Sequence, residues 1–207
     1  AQQYATLFPA MIQDWRARWG QGDFPFFFVQ LAPFMRIVKE PGDSAWAELR
    51  EAQRLTSIRV PNTAMAVITD VGEELDIHPR KKKEVGERLA LAARKLAYGE
   101  NIIYSGPTFK EMKIDGNKAI IHFDNIGGGL VAKDGPLTGF TIAGPDNKFF
   151  NATAEIVGDT IVAQAPEVPT PAHVRFGWAN FPVVNLWNQA GVPASPFRTD
   201  ELPWTTK

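Results

Sequence analysis

The sequence predicts an α/β chain in two parts: the second half of an α/β domain, followed by a mainly antiparallel β region. In the first hundred residues, helical patterns alternate with short, wholly apolar runs, which are typical of parallel strands buried on both faces. Beyond residue 105 the chain holds 10 of its 16 prolines and 11 of its 17 glycines, as strand-and-turn segments do. We place the divisions at 1–105, 106–182 and 183–207, the last an irregular tail that packs on the surface.

Composition restricts the classes of function. The chain has 207 residues, 44% of them hydrophobic, and 22 Lys and Arg against 23 Asp and Glu give a net charge of -1. Such a chain can bury a core, and it lacks the basic stripe that nucleic-acid binding requires. No apolar run approaches the roughly 18 residues of a membrane span. Because there is no cysteine, thiol nucleophiles, disulfides and thiolate metal sites are excluded.

The first part is predicted to alternate helices and strands. Apolar residues at helical spacing and short apolar runs indicate a helix over 4–19, a strand over 26–29, a helix from Asp43 or Ser44, a strand over 64–68 and a helix over 80–98. Gly20 and Gly99 are the expected ends of the first and third helices.

Two parallel strands do not complete a sheet. Sheets usually have about four to six strands, and two strands that are apolar on both faces would expose unpaired edges. The remaining strands are therefore expected from a segment outside this sequence. Ala1 in place of an initiator methionine likewise suggests an interior start.

The second part predicts β hairpins. Turn residues at 115–117 and 158–159 each lie between two strand-like runs. Further strands are expected over 140–144 and 174–178. The final 25 residues show no sustained period, which is why an irregular tail is predicted there.

The strongest candidate for chemistry is ITDVGEELDIHP, residues 68–79, which leaves the second strand and leads into the third helix. Open α/β sheets bind ligands at the carboxyl ends of their strands. His78 is a candidate general base, since a carboxylate at one ring nitrogen leaves the other free to take a proton. Asp70 or Asp76 would supply that carboxylate.

Two other interpretations of this segment stay open. The acids could stabilise the N-terminus of the following helix, with His78 an ordinary loop residue. Alternatively, four carboxylates could bind a divalent cation: Asp70, Glu73, Glu74 and Asp76. The metal is the weaker alternative, because no second histidine lies at helical spacing.

No nucleophile accompanies this base. Gly42-Asp43-Ser44 resembles a serine motif of esterases, but it follows Pro41 rather than an apolar strand, so we predict that Ser44 caps the second helix. Gln30, directly after the first strand, could line a cleft and contact substrate, or form a strand-end hydrogen bond.

These motifs resemble the sialate O-acetylesterase family of SGNH-type carbohydrate esterases. The matching stretches cover nearly the whole chain: YxxLFP to DWR (4–16), FVQLAP (28–33), LRxAQ (49–53), MAV to the following Asp (65–70), DIHPRKKKEVGERLA (76–90) and RFGWANFPVVNLWNQAGVPASPFRTD (175–200). The family carries its nucleophilic serine in a G-Q-S-N motif and further active-site residues in a W-Y-Q-G-E-type motif. Neither occurs here, so the resemblance implies a C-terminal portion, with both motifs preceding Ala1.

The resemblance implies the C-terminal half of a three-layer SGNH-like α/β domain and hydrolysis of O-acetyl esters on sugars, typically sialic acid. His78, in the I-H-P motif, corresponds to the catalytic histidine of the family. Many SGNH enzymes place the acid three residues before the histidine, where this chain has Leu75. Asp76 is favoured over Asp70 as the acidic partner, and a Ser–His dyad without an acid is the third alternative. No cofactor or metal is required.

The expected partners are an O-acetylated sugar and the N-terminal portion of the same enzyme, as a separate or cleaved chain that carries the serine. This chain alone is expected to be inactive. A periplasmic or secreted location is implied by the resemblance only. The competing hypothesis is a non-catalytic carbohydrate-binding or scaffolding module in which the β region supplies the function. Separately, three tryptophans could form a platform for sugars or simply pack in the core: Trp178, Trp187 and Trp204.

Overall fold

The first part of the chain contains three helices and a two-stranded parallel sheet. The computed structural model describes residues 1–206. Its first elements are α1 (Gln2–Trp19), β1 (Phe26–Val29), α2 (Ala45–Arg59), β2 (Thr63–Ala66) and α3 (Lys83–Leu96). Phe26 lies opposite Thr63, and Val29 opposite Ala66. The predicted order of helices and strands is confirmed, although β2 ends two residues before its predicted end.

Local signals explain where these helices begin and end. Gly20 ends α1 in the left-handed conformation, at φ 63°, which glycine adopts without a Cβ penalty. The Ser44 Oγ accepts a hydrogen bond from the Ala47 N–H at 3.0 Å and so caps α2. The predicted cap at Ser44 is therefore confirmed.

A small aromatic core joins α1 to the parallel sheet. Phe8, Ile12, Phe28 and Val60 are buried together, and the rings of Phe8 and Phe28 meet edge to face with centroids 4.9 Å apart. This contact fixes α1 against β1. None of the helices within residues 1–206 has the length and apolar character needed to cross a membrane.

Neither outer edge of the two-stranded parallel sheet has a strand beside it within residues 1–206. The N–H groups of Phe26 and Gln30 donate toward β2, so the backbone groups of Phe27 and Val29 point to the other edge of β1. There the Gln53 amide donates to the Val29 carbonyl at 3.4 Å. Apolar edge strands are usually paired or covered, and no described strand pairs with this edge of β1.

The second part consists of antiparallel sheets around one core. Its strands are β3 (Thr108–Asp115), β4 (Lys118–Asp124), β5 (Leu130–Ala132), β6 (Phe140–Ala143), β7 (Phe149–Asn151), β8 (Thr153–Val157), β9 (Thr160–Gln164), β10 (His173–Phe176), β11 (Leu186–Asn188) and β12 (Phe197–Arg198). Two four-stranded sheets have the orders β3-β4-β9-β8 and β12-β10-β6-β7, and β5 pairs with β11. The core includes Ile121, Ile142, Ile161 and Phe176. Both predicted hairpins form, as β3–β4 and β8–β9.

The segment 183–207, predicted as an irregular surface tail, differs from that prediction over its described residues. It contains β11 and β12, and Leu186 and Phe197 are buried in the core of the β region. The N–H groups of Thr205 and Thr206 donate to the Glu48 carboxylate on α2. Because its short strands pair with distant segments, their formation depends on tertiary contacts that no local pattern reveals.

Candidate active site

The loop between β2 and α3, residues 67–82, places the predicted site residues at the carboxyl end of β2. β1 ends at the same edge, because the two strands are parallel. Ligands of open α/β proteins bind at this edge. An isolated bridge between Glu73 and Asp76 turns the loop back on itself. Residues 75–78 are exposed and form the tip of the loop.

Gly72 permits this loop to pack against the chain that follows β1. A side chain at this position would overlap the carbonyl oxygen and the ring of Pro33. Two residues further on, the Glu74 carboxylate accepts a hydrogen bond from the Ile37 N–H at 2.8 Å. The loops after β1 and β2 are therefore joined at two points.

Gly72→Ala is expected to lower the free energy of unfolding by about 1–3 kcal/mol, the usual cost of extra volume in a packed site. Urea unfolding followed by circular dichroism measures it. Gly86→Ala in α3 is the matched control: a Cβ there meets nothing within 4 Å, and alanine is favoured over glycine within a helix by about 0.5–1 kcal/mol. If the free energy of unfolding changed in the same direction in both variants, close packing of Gly72 against Pro33 would not explain the effect.

His78 lies at the exposed tip of the loop. Its side chain is 87% exposed, and that of Leu75 is 94% exposed. The His78 N–H donates to the Asp76 Oδ1 at 2.8 Å, and the His78 Nδ1 lies 3.9 Å from the same oxygen. That separation is too long for a hydrogen bond but suits an ion pair once the ring is protonated. An imidazole placed this way can exchange protons with a reactant.

Asp70 has a different partner. Its two carboxylate oxygens accept hydrogen bonds from the Arg88 guanidinium at 2.6 and 2.7 Å. Arg88 is buried and also donates to the Val67 carbonyl at 2.8 Å. Asp70 thus ties the start of the loop to α3 instead of orienting His78. This leaves Asp76 as the carboxylate beside the imidazole.

The other two acids of the loop also have structural partners. The Glu73 carboxylate accepts from the Arg80 N–H at 2.8 Å and from the Arg80 Nε at 3.2 Å. These contacts, the backbone hydrogen bond foremost, hold the pKa of Glu73 below its usual range. Since Glu74 binds Ile37, the four acids serve different partners. No three potential metal ligands converge anywhere in residues 1–206.

Gln30 is buried rather than open to a cleft, which corrects its expected place. Its side chain is 1% exposed, and its Nε2 donates to the Arg50 carbonyl at 3.4 Å. Its Oε1 has no hydrogen-bond partner, and neither has the buried Thr69 Oγ1 after β2. The strand-end hydrogen bond, the other alternative for Gln30, is the one that this structure contains.

Arg88 is the residue of this site that the sequence analysis missed. It lies on the inner face of α3 with Val85 and Ala92, and it is buried. A charged side chain within an apolar helical stripe requires a buried partner of opposite charge. That rule pointed to a carboxylate near the sheet, and Asp70 is the one that binds it.

Comparison with known proteins indicates one family. No protein-family profile matches the sequence. The chain is 36% identical to the sialate O-acetylesterase of Mus musculus over 136 residues, 58% of this chain and 25% of that protein. It is 34% identical to the Homo sapiens sialate O-acetylesterase over 136 residues, 58% of this chain and 26% of that protein. A carbohydrate acetylesterase from Xanthomonas citri matches in structure with a TM-score of 0.91 and 46% identity, over 97% of this chain and 46% of that one.

These matches extend over part of each relative. The chain spans about a quarter of the length of the curated relatives and less than half of the solved structure. Within that part, fold and sequence agree, since the structural match includes both the helical part and the antiparallel sheets. Over this part, the chain is similar to the sialate O-acetylesterases and to the Xanthomonas citri carbohydrate acetylesterase.

Proposed function

We propose that this chain contributes the general base of a carbohydrate O-acetylesterase whose nucleophilic serine lies outside these 207 residues. The reaction is hydrolysis of acetyl esters on sugars, in line with the names of its relatives. The observation that carries the proposal is the exposed His78 beside Asp76 at the carboxyl edge of the parallel sheet. Those names favour an esterase over a non-catalytic binding module.

Two further features support contact between this part of the chain and a second portion of the enzyme. Leu75 and Ile77, on either side of Asp76, expose apolar side chains to solvent, and such exposure at a loop tip suits contact with another segment. The free edge of β1 would accept a further parallel strand. A serine that follows the carboxyl end of such a strand would lie at the same end of the sheet as the loop that holds His78.

In the first step His78 acts as general base. Its imidazole takes the proton of the serine hydroxyl while the serine Oγ attacks the acetyl carbonyl carbon. Hydrogen-bond donors of the other portion hold the resulting oxyanion. The tetrahedral intermediate then breaks its bond to the sugar oxygen, which receives the proton from His78, and an acetyl-serine remains.

Water completes the reaction. It gives a proton to His78 while its oxygen attacks the acetyl carbon, and cleavage of the bond to the serine Oγ returns that proton to the serine and releases acetic acid. Asp76 stabilises the imidazolium in both steps. Asp70 takes no part, because both its oxygens bind Arg88.

A serine-directed fluorophosphonate label tests this division of roles. The complete polypeptide is expected to release acetate from acetylated sugars and to lose this activity on labelling, with the label on a serine outside the 207 residues. The 207-residue chain alone is expected to release none. Mass spectrometry of the labelled peptides and an acetate assay measure both results.

Ser44 provides the control. Its Oγ donates to the Asn180 Oδ1 at 2.7 Å and accepts from the Ala47 N–H, so it is engaged in structure. Ser44→Ala in the complete polypeptide should therefore keep its acetate release. Acetate release by the chain alone, or a label on any serine within it, would refute the proposal.

A further inference from the structure

A groove runs between the loop that follows β1 and the sheet β12-β10-β6-β7. It encloses two adjoining cavities of about 440 and 340 Å³, and Pro41, Thr141 and Trp178 border both. Binding sites for small ligands commonly measure about 300–1,000 Å³. The groove is therefore large enough for a short oligosaccharide.

The lining combines aromatic rings with side chains that form hydrogen bonds. The rings are Trp178, Phe149 and Phe181, and the polar side chains are Thr138, Thr141, Asn147 and Asn151. Sugars present apolar ring faces that pack on aromatic rings and hydroxyls that pair with amides and hydroxyls. We propose that the groove binds a neutral oligosaccharide, the part of the substrate that extends beyond the acetylated sugar. This inference rests on the proposed function.

The charged side chains of the groove nearly balance, so the groove lacks the strong positive charge that would select an acidic polysaccharide. The groove is lined by two ammonium groups and two carboxylates, which balance: Lys39, Lys148, Glu40 and Asp43. The guanidinium of Arg175, also at the groove, is already paired with the Asp200 carboxylate at 2.7 Å. Because Arg198 shares the same carboxylate, one positive charge remains behind Trp178, which is too little to select a polyanionic chain.

The Trp178 indole is held in place before any ligand arrives. The guanidinium carbons of Arg175 and Arg198 lie 4.7 and 5.5 Å from the Trp178 ring centre, and the Asp200 carboxylate pairs with both. Arg175 also lies 4.0 Å from the centre of the Phe149 ring. Side chains that are fixed in advance cost less entropy on binding, so this part of the groove is pre-organised.

The other wall is fixed to the loop that carries His78. The Asn180 Oδ1 accepts from the Ser44 Oγ at 2.7 Å and holds the β region against α2. Ile37, which lines the groove, donates to the Glu74 carboxylate at 2.8 Å. An oligosaccharide in the groove therefore contacts a segment that directly supports the His78 loop.

Calorimetric titration with cellotetraose and xylotetraose tests the groove, on the 207-residue chain and on the complete polypeptide. Trp178→Ala is expected to weaken binding by about tenfold or more, because it removes the aromatic surface shared by both cavities. Sialyllactose is the acidic comparison ligand. None of these ligands carries an O-acetyl ester, so binding is measured apart from ester hydrolysis, and failure of one proposal leaves the other testable.

Two further variants separate loss of the site from loss of folding. Val183→Arg introduces a charged side chain at a 55% exposed position of the groove, and should weaken binding as strongly without removing a core contact. Trp19→Ala removes an exposed tryptophan from α1 and should leave binding unchanged.

Saturable binding of either neutral probe, weakened in Trp178→Ala and Val183→Arg and kept in Trp19→Ala, would support the proposal. Three results would overturn it: no binding of the neutral probes, tighter binding of sialyllactose, or binding by the chain that disappears in the complete polypeptide. The last would mean that another protein segment covers the groove.

Discussion

Replacement of His78 by alanine is expected to lower kcat for acetate release by about 10²–10⁴-fold in the complete polypeptide, the range that general acid–base catalysis contributes. Both halves of the proposed reaction move a proton through this imidazole. The free energy of unfolding should not change, since the ring is almost fully exposed. Acetate release and thermal unfolding of the same preparation measure the two quantities.

The other two histidines of the chain are matched controls. His122 lies on β4 and His173 on β10, in the β region and away from the loop after β2. Their alanine variants should retain kcat. If His78→Ala kept kcat within about threefold of the parent, the loss would be far smaller than removal of a general base causes. Another group would then have to be the base.

The same assay distinguishes the two aspartates near this histidine. Asp76→Asn should lower kcat and leave the free energy of unfolding unchanged, because its carboxylate is half exposed and lies beside the imidazole. Asp70→Asn should instead lower the free energy of unfolding, because Arg88 would remain buried without its counter-charge. The reverse pattern would assign the acidic role to Asp70.

Elements with local signals were predicted correctly from the sequence. α1 has a continuous apolar face and a terminal glycine, α2 has a serine cap, and both hairpins have turn residues between alternating strands. β5, β7, β11 and β12 were missed. Each has only two or three residues, and a run so short shows no period that could distinguish a strand from a loop.

In the candidate site, too, contacts between sequence neighbours were predictable and contacts between distant residues were not. The exposed histidine and its neighbouring acid lie within three residues, so their proximity follows from the sequence alone. Asp70 and Arg88 are 18 residues apart, on a loop and a helix, and only the packing of α3 against the sheet brings them together. The sequence left two alternatives open for Gln30, a cleft and a strand-end hydrogen bond, because its burial depends on α2 closing over the end of β1.

The largest effect on stability is expected at Asp200. Its carboxylate has no exposed surface and accepts from the Arg175 Nε at 2.7 Å, the Arg175 Nη2 at 3.0 Å and the Arg198 Nη1 at 3.3 Å. Asp200→Asn leaves both guanidiniums without a counter-charge, which costs about 3–5 kcal/mol in buried pairs. Urea unfolding at neutral pH measures the loss. Asp159→Asn, in the exposed β8–β9 turn, is the control and should change stability by less than about 0.5 kcal/mol.

The pH dependence provides a second measurement of the same contact. Burial alone would raise the pKa of Asp200, but hydrogen bonds from Arg175 and the charges of Arg175 and Arg198 outweigh it, and the pKa lies below the ordinary 3.8. A depressed pKa contributes stability that is complete above the ordinary value and is lost as the pH falls through the folded-state value. The free energy of unfolding of the parent should therefore fall more steeply below about pH 4 than that of Asp200→Asn.

The same substitution connects stability to the groove. Asp200 holds the two guanidiniums that flank Trp178, so Asp200→Asn should weaken cellotetraose binding even where the variant remains folded. If its free energy of unfolding equalled that of Asp159→Asn, the cost of desolvating the cluster would match the attraction within it, a balance known for buried ion pairs. Weakened binding would then mean that Asp200, Arg175 and Arg198 position the Trp178 indole. A variant with parental stability and parental binding would exclude both roles.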